Sequence, residues 1–263
     1  MRSALLNIMV QAATKAGRSL AKDFGEVENL QVSLKGPADF VSNADRRAEQ
    51  IVFEELQKAR PTYSFLGEEG TEVKGSDGQH RWIVDPLDGT TNFLHGIPMF
   101  AVAIALERND EIVASAIFNP IMDELYTAEK GGGAWLNDRK RLRVANRRHL
   151  ADAVVVTGIN SQGRALDVMQ LKQLAQVTPA VAGIRRTGSA STDLAWVAAG
   201  RFDAYWEAGL KPWDVAPGIL LVREAGGTTS DFAGTTGSVW NGQVISGNEI
   251  IQGQLLKIVK GVK

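Results

Sequence analysis

The sequence predicts a layered α/β fold: two helices beside a mostly antiparallel sheet, then a half in which strands and helices alternate. Three observations carry this. Up to Pro61 the chain holds two apolar stripes at helical spacing. From Ser64 to Leu136 it holds short β-prone segments joined by turn dipeptides. Beyond about residue 150, apolar strand-like runs alternate with helical patterns, which favours parallel strand pairs. These patterns divide the chain into residues 1–148 and 149–263.

In order, residues 3–22 spell an amphipathic helix, with Leu5, Ile8, Met9, Ala12, Ala13, Ala16 and Leu20 on one face. Lys35 to Asp39 suggests a loop and Phe40-Val41 a short extended piece. Ser42 or Asn43 would cap a second helix burying Ala48, Ile51, Val52 and Leu56, which Pro61 ends. Ser64-Phe65-Leu66 is a strand, and residues 71–80, Gly-rich and polar, a mobile loop. Trp82-Ile83-Val84 is a buried strand that ends at Asp85, because Pro86 offers the ladder no N–H. Ala101–Arg108 and Glu111–Asn119 form a hairpin about Asn109-Asp110, followed by strands Glu124–Glu129 and Gly133–Leu136.

In the second half, Val154–Thr157 is a strand and Leu166–Gln176 a helix. Thr187-Gly188-Ser189-Ala190-Ser191 opens a helix running to Gly200, and Phe202–Trp206 is a strand. Asp214 starts a helix running to Ala225, with Pro217 in its permissive first turn. Strand Val244–Ser246 and a helix capped by Asn248 complete the series.

Composition removes several function classes. The net charge of −1 gives no basic field of the kind a nucleic-acid binder shows. Absence of cysteine excludes disulfides, thiolate nucleophiles and Cys-bound zinc, and fits a cytoplasmic protein. No apolar run approaches the roughly 18 residues of a membrane span. There is no GxxxxGK[ST] loop, no GxGxxG after a strand and no GxSxG elbow. His80, His95 and His149 have no metal-ligand spacing and suit surface or turn positions.

Acids stand instead where strands stop or helices start: Asp45, Glu68, the pair Asp85 and Asp88, and Asp214. Carboxylates gather hard cations such as Mg²⁺, and free N–H groups at a helix start hold phosphate. The stretch Asp85-Pro86-Leu87-Asp88-Gly89-Thr90-Thr91-Asn92 brings both requirements together. Taken singly, each acid also suits a plainer role: Asp45 facing a helix dipole, Asp88 or Thr90 as a cap, Glu68-Glu69 as a solvated turn. Gly188-Ser189-Ala190 adds a second helix start of small residues, open to a ligand or simply tightly packed.

Gly67-Glu68-Glu69, then Trp82 through Phe93, then Trp213-Asp214-Val215-Ala216 resemble the three signatures of the inositol monophosphatase family, in register from about Lys35 to Gly227. The resemblance implies an α/β/α/β/α sandwich of the inositol monophosphatase and fructose-1,6-bisphosphatase type. It implies a Mg²⁺-dependent, lithium-sensitive hydrolase of small phosphate monoesters, with two or three Mg²⁺ per site and a homodimeric assembly. Glu68, Asp85, Asp88, Asp214 and the Leu87 carbonyl would be the metal ligands. Glu68 and Thr90 would position the attacking water, with Asp45 behind Thr90. Gly89 and Thr90 would receive the phosphate, Glu207 the substrate hydroxyls, and Gly188, Ser189 and Ala190 would lie near the substrate ring; Thr is also common in the family at the position of Ser189. The expected substrate is myo-inositol monophosphate; the alternatives are fructose 1,6-bisphosphate, a 3′-phosphoadenosine nucleotide and histidinol phosphate. A regulatory partner, RNA or a transcription factor, is the remaining alternative, with Arg139–Arg143, Arg147-Arg148 and Arg185-Arg186 as its contact surface.

Overall fold

A computed structural model describes residues 2–25, 32–36, 39–159, 168–236 and 240–262; for 32–36 and 39–42 it describes the backbone only. The first half runs α1 (Ala4–Phe24), β1 (Val32–Gly36), β2 (Asp39–Ser42), α2 (Asn43–Ala59), β3 (Ser64–Gly67), β4 (Glu72–Val73), β5 (His80–Asp88), α3 (Thr90–Leu94), β6 (Ala101–Arg108), β7 (Glu111–Asn119), β8 (Glu124–Glu129), β9 (Gly133–Leu136) and β10 (Lys140–Arg141). The second runs β11 (Val154–Thr157), α4 (Val168–Val177), β12 (Gly183–Arg185), α5 (Ala190–Ala198), β13 (Ala204–Ala208), α6 (Pro212–Glu224), β14 (Thr228–Ser230), β15 (Gln243–Gly247) and α7 (Glu249–Gly261).

An eight-stranded sheet is ordered β10-β9-β8-β7-β6-β5-β3-β4, and a five-stranded sheet β12-β11-β13-β15-β14. The side chains of β6 show why the large sheet is covered on both faces. Val102, Ile104 and Leu106 join a core with α1 and α2, while Ala101, Ala103 and Ala105 face α5 and α6. Small residues on that second face let two helices approach the sheet closely, and α5 and α6 also pack against Tyr205 and Val244 of the second sheet. The outer face of the second sheet is closed by Leu174 of α4 and by Ile251, Leu255 and Val259 of α7. The layers are therefore α/β/α/β/α, as expected.

Several elements depart from the sequence reading. β5 does not stop at Asp85 but runs through Pro86 to Asp88; its pairing with β6 shifts between these two acids, so the proline falls in a bulge where no ladder N–H is required. Residues 71–80 include β4, an edge strand antiparallel to β3, and Asp77 accepts the N–H groups of Gln79 and His80 at 2.9 and 3.1 Å. The expected loop 35–39 begins inside β1 and ends inside β2, which pair antiparallel; Pro37 and Ala38 lie outside the described residues. The first two residues of the helix expected from Leu166 also lie outside them. α6 starts at Pro212, two residues before Asp214, so Pro217 sits past its first turn. The second sheet is mixed: β11 is parallel to β12 and β13, but β15 runs antiparallel between β13 and β14. The strand expected at Phe202–Trp206 begins at Ala204 and continues to Ala208, which places Glu207 inside it.

Candidate active site

Register brings the first acids together. β3 and β5 are parallel with Gly67 opposite Val84, so Glu68 and Asp85 follow side by side at the same ends of adjacent strands. The Glu68 N–H donates to the Val84 carbonyl at 3.1 Å, holding the turn against β5. Asp85 is buried, and one of its oxygens accepts the Leu87 N–H at 3.0 Å across Pro86. The bulge then turns Asp88 toward α5. Its carboxylate accepts from Ser189 Oγ at 2.8 Å, Ala190 N at 3.3 Å, Ser191 N at 2.6 Å and Ser191 Oγ at 2.5 Å. Gly89 has φ of 103°, and a Cβ there would stand 2.8 Å from the Met99 carbonyl, so glycine alone suits this corner. Thr90 follows at the start of α3, its hydroxyl shared between the Leu87 carbonyl at 3.1 Å and Asp45 at 3.4 Å.

The second half supplies the opposite wall. Asp214, near the start of α6, accepts the Lys211 N–H at 2.7 Å. Glu207 projects from β13 and accepts from Tyr205 Oη at 2.8 Å. A Cβ at Gly158 would overlap the Glu207 carboxyl, so the glycine leaves room for it. Asn92 ties the halves together, donating to Met99 O at 2.7 Å and Thr187 O at 2.8 Å. Gly188 packs against that amide with φ of 91°.

Electrostatics show that these acids share one environment. Burial raises the Asp85 carboxyl well above the ordinary range, and the charges of Glu68, Asp88 and Asp214 push it further. Asp214 is raised well above its usual value by enclosure, against the Lys211 N–H, with Asp88, Glu68 and Glu207 adding to it. Asp88 is also raised by burial, although Ser191 and Ser189 oppose the shift. Enclosure lifts Glu207 to about 7; Tyr205 opposes this, and the Asp88 charge reinforces it. Solvent still reaches one edge of Glu207 and of Asp214.

The structure thus gathers Glu68, Asp85, Asp88, Asp214 and Glu207, with Ser189 and Ala190 on Asp88 and Asp45 on Thr90. Among the described residues no three acidic or imidazole side chains already close on one point as a coordination shell. Hydrogen bonds from α5 and from the Lys211 N–H engage Asp88 and Asp214, and both carboxyls still act on Asp85. The donor set is all oxygen, concentrated in charge and poorly compensated, and it fits a hard divalent cation. A separate cavity of about 310 Å³ beside Thr127 and Trp135 is lined by none of these acids.

Sequence reasoning missed Glu49, Gly158, Ser191, Asp193 and Tyr205. Ser191 was signalled by its place in Gly-Ser-Ala-Ser, and Glu49 by its position one helical turn after Asp45. Asp193, buried and bonded by the Thr187 hydroxyl at 2.6 Å, carried no signal of its own.

Recessed acids at the meeting of two sheets, beside two helix starts, define a layered α/β protein suited to chemistry on a phosphate ester. The chain belongs to the inositol monophosphatase family, which it matches over residues 1–263, and is a phosphatase. It is 63% identical over 259 residues to an inositol-1-monophosphatase of Rhizobium meliloti strain 1021, covering 98% of this chain and 97% of that protein. It is 48% identical over 236 residues to a Nus factor SuhB of Xylella fastidiosa strain Temecula1, covering 89% and 84%. The crystal structure of extragenic suppressor protein suhB from Bartonella henselae superposes with a TM-score of 0.94 at 57% identity, covering 98% of this chain and 99% of that one.

Proposed function

We propose that the protein hydrolyses a small polyol phosphate monoester, myo-inositol monophosphate first among them, with Mg²⁺ as cofactor and lithium as an inhibitor. The observation that carries this reading is the convergence of Glu68 and Asp85 at the same ends of paired strands, with Asp88 in the bulge that follows, beside the start of α3; Asp88 and Asp214 both act on the Asp85 carboxyl. The name of the Rhizobium meliloti relative supports the choice of substrate.

Glu68, Asp85, Asp88, Asp214 and the Leu87 carbonyl would hold the divalent ions, two or three per site. When bound, such ions neutralise phosphate charge and acidify water. The chain's own residues do the rest. The N–H groups of Gly89 and Thr90 point out of a helix start and receive phosphate oxygens. Glu68 and the Thr90 hydroxyl orient a water for in-line attack, and Asp45 fixes the hydroxyl from behind. Water adds to phosphorus and gives up a proton, the ester P–O bond breaks, and the leaving alkoxide takes up that proton to give free polyol and phosphate. Glu207, fixed by Tyr205, accepts substrate hydroxyls, and Gly188, Ser189 and Ala190 flank the ring.

A panel of phosphate esters assayed with Mg²⁺ tests this directly. Preference for inositol phosphates supports the assignment. Preference for a 3′-phosphonucleotide, fructose 1,6-bisphosphate or histidinol phosphate moves it to another substrate on the same scaffold.

A second reading adds a regulatory role. The name of the Xylella fastidiosa relative favours it, as do the exposed Arg139, Lys140, Arg141, Arg147, Arg148 and Arg186. RNA or transcription-factor binding that survives Asp88→Asn and weakens with salt would establish it. We further propose a cytoplasmic homodimer. Exposed Ile97, Ile121 and Met122 support the dimer, brought together where Asn119 bonds both Pro98 O and Ile121 N. Sedimentation and cell fractionation test both statements.

A further inference from the structure

We infer that Glu49 is a positioning residue for Glu68, doing for the cation-holding turn what Asp45 does for Thr90. This rests on the reading of Glu68 proposed above.

Asp45 and Glu49 lie four residues apart on α2, one above the other on the same face. Both belong to its buried stripe, among Ala44, Ala48, Val52 and Leu56, and each is 2% exposed. A carboxylate in an apolar stripe is costly unless it is bonded. Glu49 spends both oxygens on the turn after β3. Oε2 accepts the Glu69 N–H at 2.8 Å and Oε1 the Thr71 N–H at 3.1 Å. Within that turn, Gly67 N donates to Thr71 O at 2.8 Å and Glu68 N to Val84 O at 3.1 Å. The backbone of Glu68 is thus tied to β5 by its own amide and to α2 by the next one, with its carboxyl acting on Asp85.

Gly67 completes the clamp. A Cβ there would meet the Glu49 carboxylate well inside contact distance, so only glycine lets the acid reach the turn. One helix face therefore sets both elements that flank the attacking water, through Asp45 on one side and Glu49 on the other. Residues that orient a cation's ligands typically change its affinity 10–100-fold when replaced.

The test uses the full-length chain and three variants, Glu49→Gln, Gly67→Ala and Glu68→Gln. Mg²⁺ binding is measured by calorimetry, and backbone exchange at residues 69 and 71 by hydrogen–deuterium exchange. Glu49→Gln sets an amide donor against one of the two N–H groups; Gly67→Ala displaces the acid without changing it. Each is expected to speed exchange at residues 69 and 71 at least about tenfold, leave α1 protected, and weaken Mg²⁺ binding about 10–100-fold. If Glu49→Gln does not fold, Gly67→Ala alone carries the test. Faster exchange at 69 and 71 with unchanged Mg²⁺ affinity overturns the inference while leaving Glu68 as a ligand. Unchanged affinity in Glu68→Gln overturns the underlying assignment and the clamp together.

Discussion

Glu207, proposed above to accept substrate hydroxyls, would couple stability to substrate recognition, and the coupling has a sign. Its carboxyl titrates about 7 in the folded chain against an ordinary 4.5. Ionising it in place therefore costs up to about 3.5 kcal/mol, since each tenfold change in acidity is about 1.4 kcal/mol. Solvent reaches one edge of the group, which makes that figure a ceiling. The folded state holds its proton more tightly than the unfolded one, so the cost is absent below about pH 4.5, grows through the window up to about 7, and is complete above it. Glu207→Gln removes the charge but loses about 1 kcal/mol, because its amide group faces either Tyr205 or the Gly158 N–H. The variant should be more stable than the parent by about 1–2 kcal/mol at pH 8, and equal or slightly less stable at pH 5. Urea denaturation of both proteins at the two pH values reads this difference. Its kcat/KM for inositol phosphate should fall about 10–100-fold, the worth of a charged hydrogen bond to a hydroxyl, with p-nitrophenyl phosphate much less affected. Parallel stability curves for parent and variant across pH 5 to 8 would refute the reasoning.

Further outcomes follow from the same geometry. Asp88→Asn should keep the circular dichroism of the parent and lose at least about 10³-fold in phosphate release, because the neutral amide cannot share in holding divalent ions. Mg²⁺ at about 100 times its Kd should stabilise the fold by about 2.7 kcal/mol and raise Tm by about 5–10 °C. At one fixed Mg²⁺ concentration the rise should be larger at pH 8 than at pH 5. The crowding of Asp85 and Asp214 is relieved by protonation at low pH and costs stability only as pH rises through their elevated titration ranges. Gly188→Ala forces a left-handed φ of 91° on a residue with a Cβ and presses that carbon to 3.0 Å from Asn92 Nδ2. It should lower stability by about 1–2 kcal/mol in a thermal melt and raise KM more than it lowers kcat.

Much of this architecture is legible in residue order because local and global preferences agree. Alternating large and small residues in β6, the turn at Asn109-Asp110 and the Asn248 cap each point to one outcome, and the structure realises it. The expectations that fail do so where tertiary contact outweighs a local rule. Pro86 reads as a strand terminator only until a bulge opposite β6 removes the need for its N–H. Residues 71–80 read as loop because an edge strand as short as β4 has no periodicity to detect. The acids near helix starts and strand ends are visible as a pattern, but the groups that aim them are not. Ser191, Tyr205 and Glu49 act through contacts to residues 103, 2 and 20 positions away, and only folding brings the distant ones together.

The most direct measurement is an anomalous-scattering map from crystals grown with Mn²⁺ and inositol phosphate. The account predicts strong peaks among Glu68, Asp85, Asp88 and Asp214, with phosphate oxygens within reach of the Gly89 and Thr90 N–H groups. Peaks elsewhere, together with phosphate release that persists in EDTA, would contradict it.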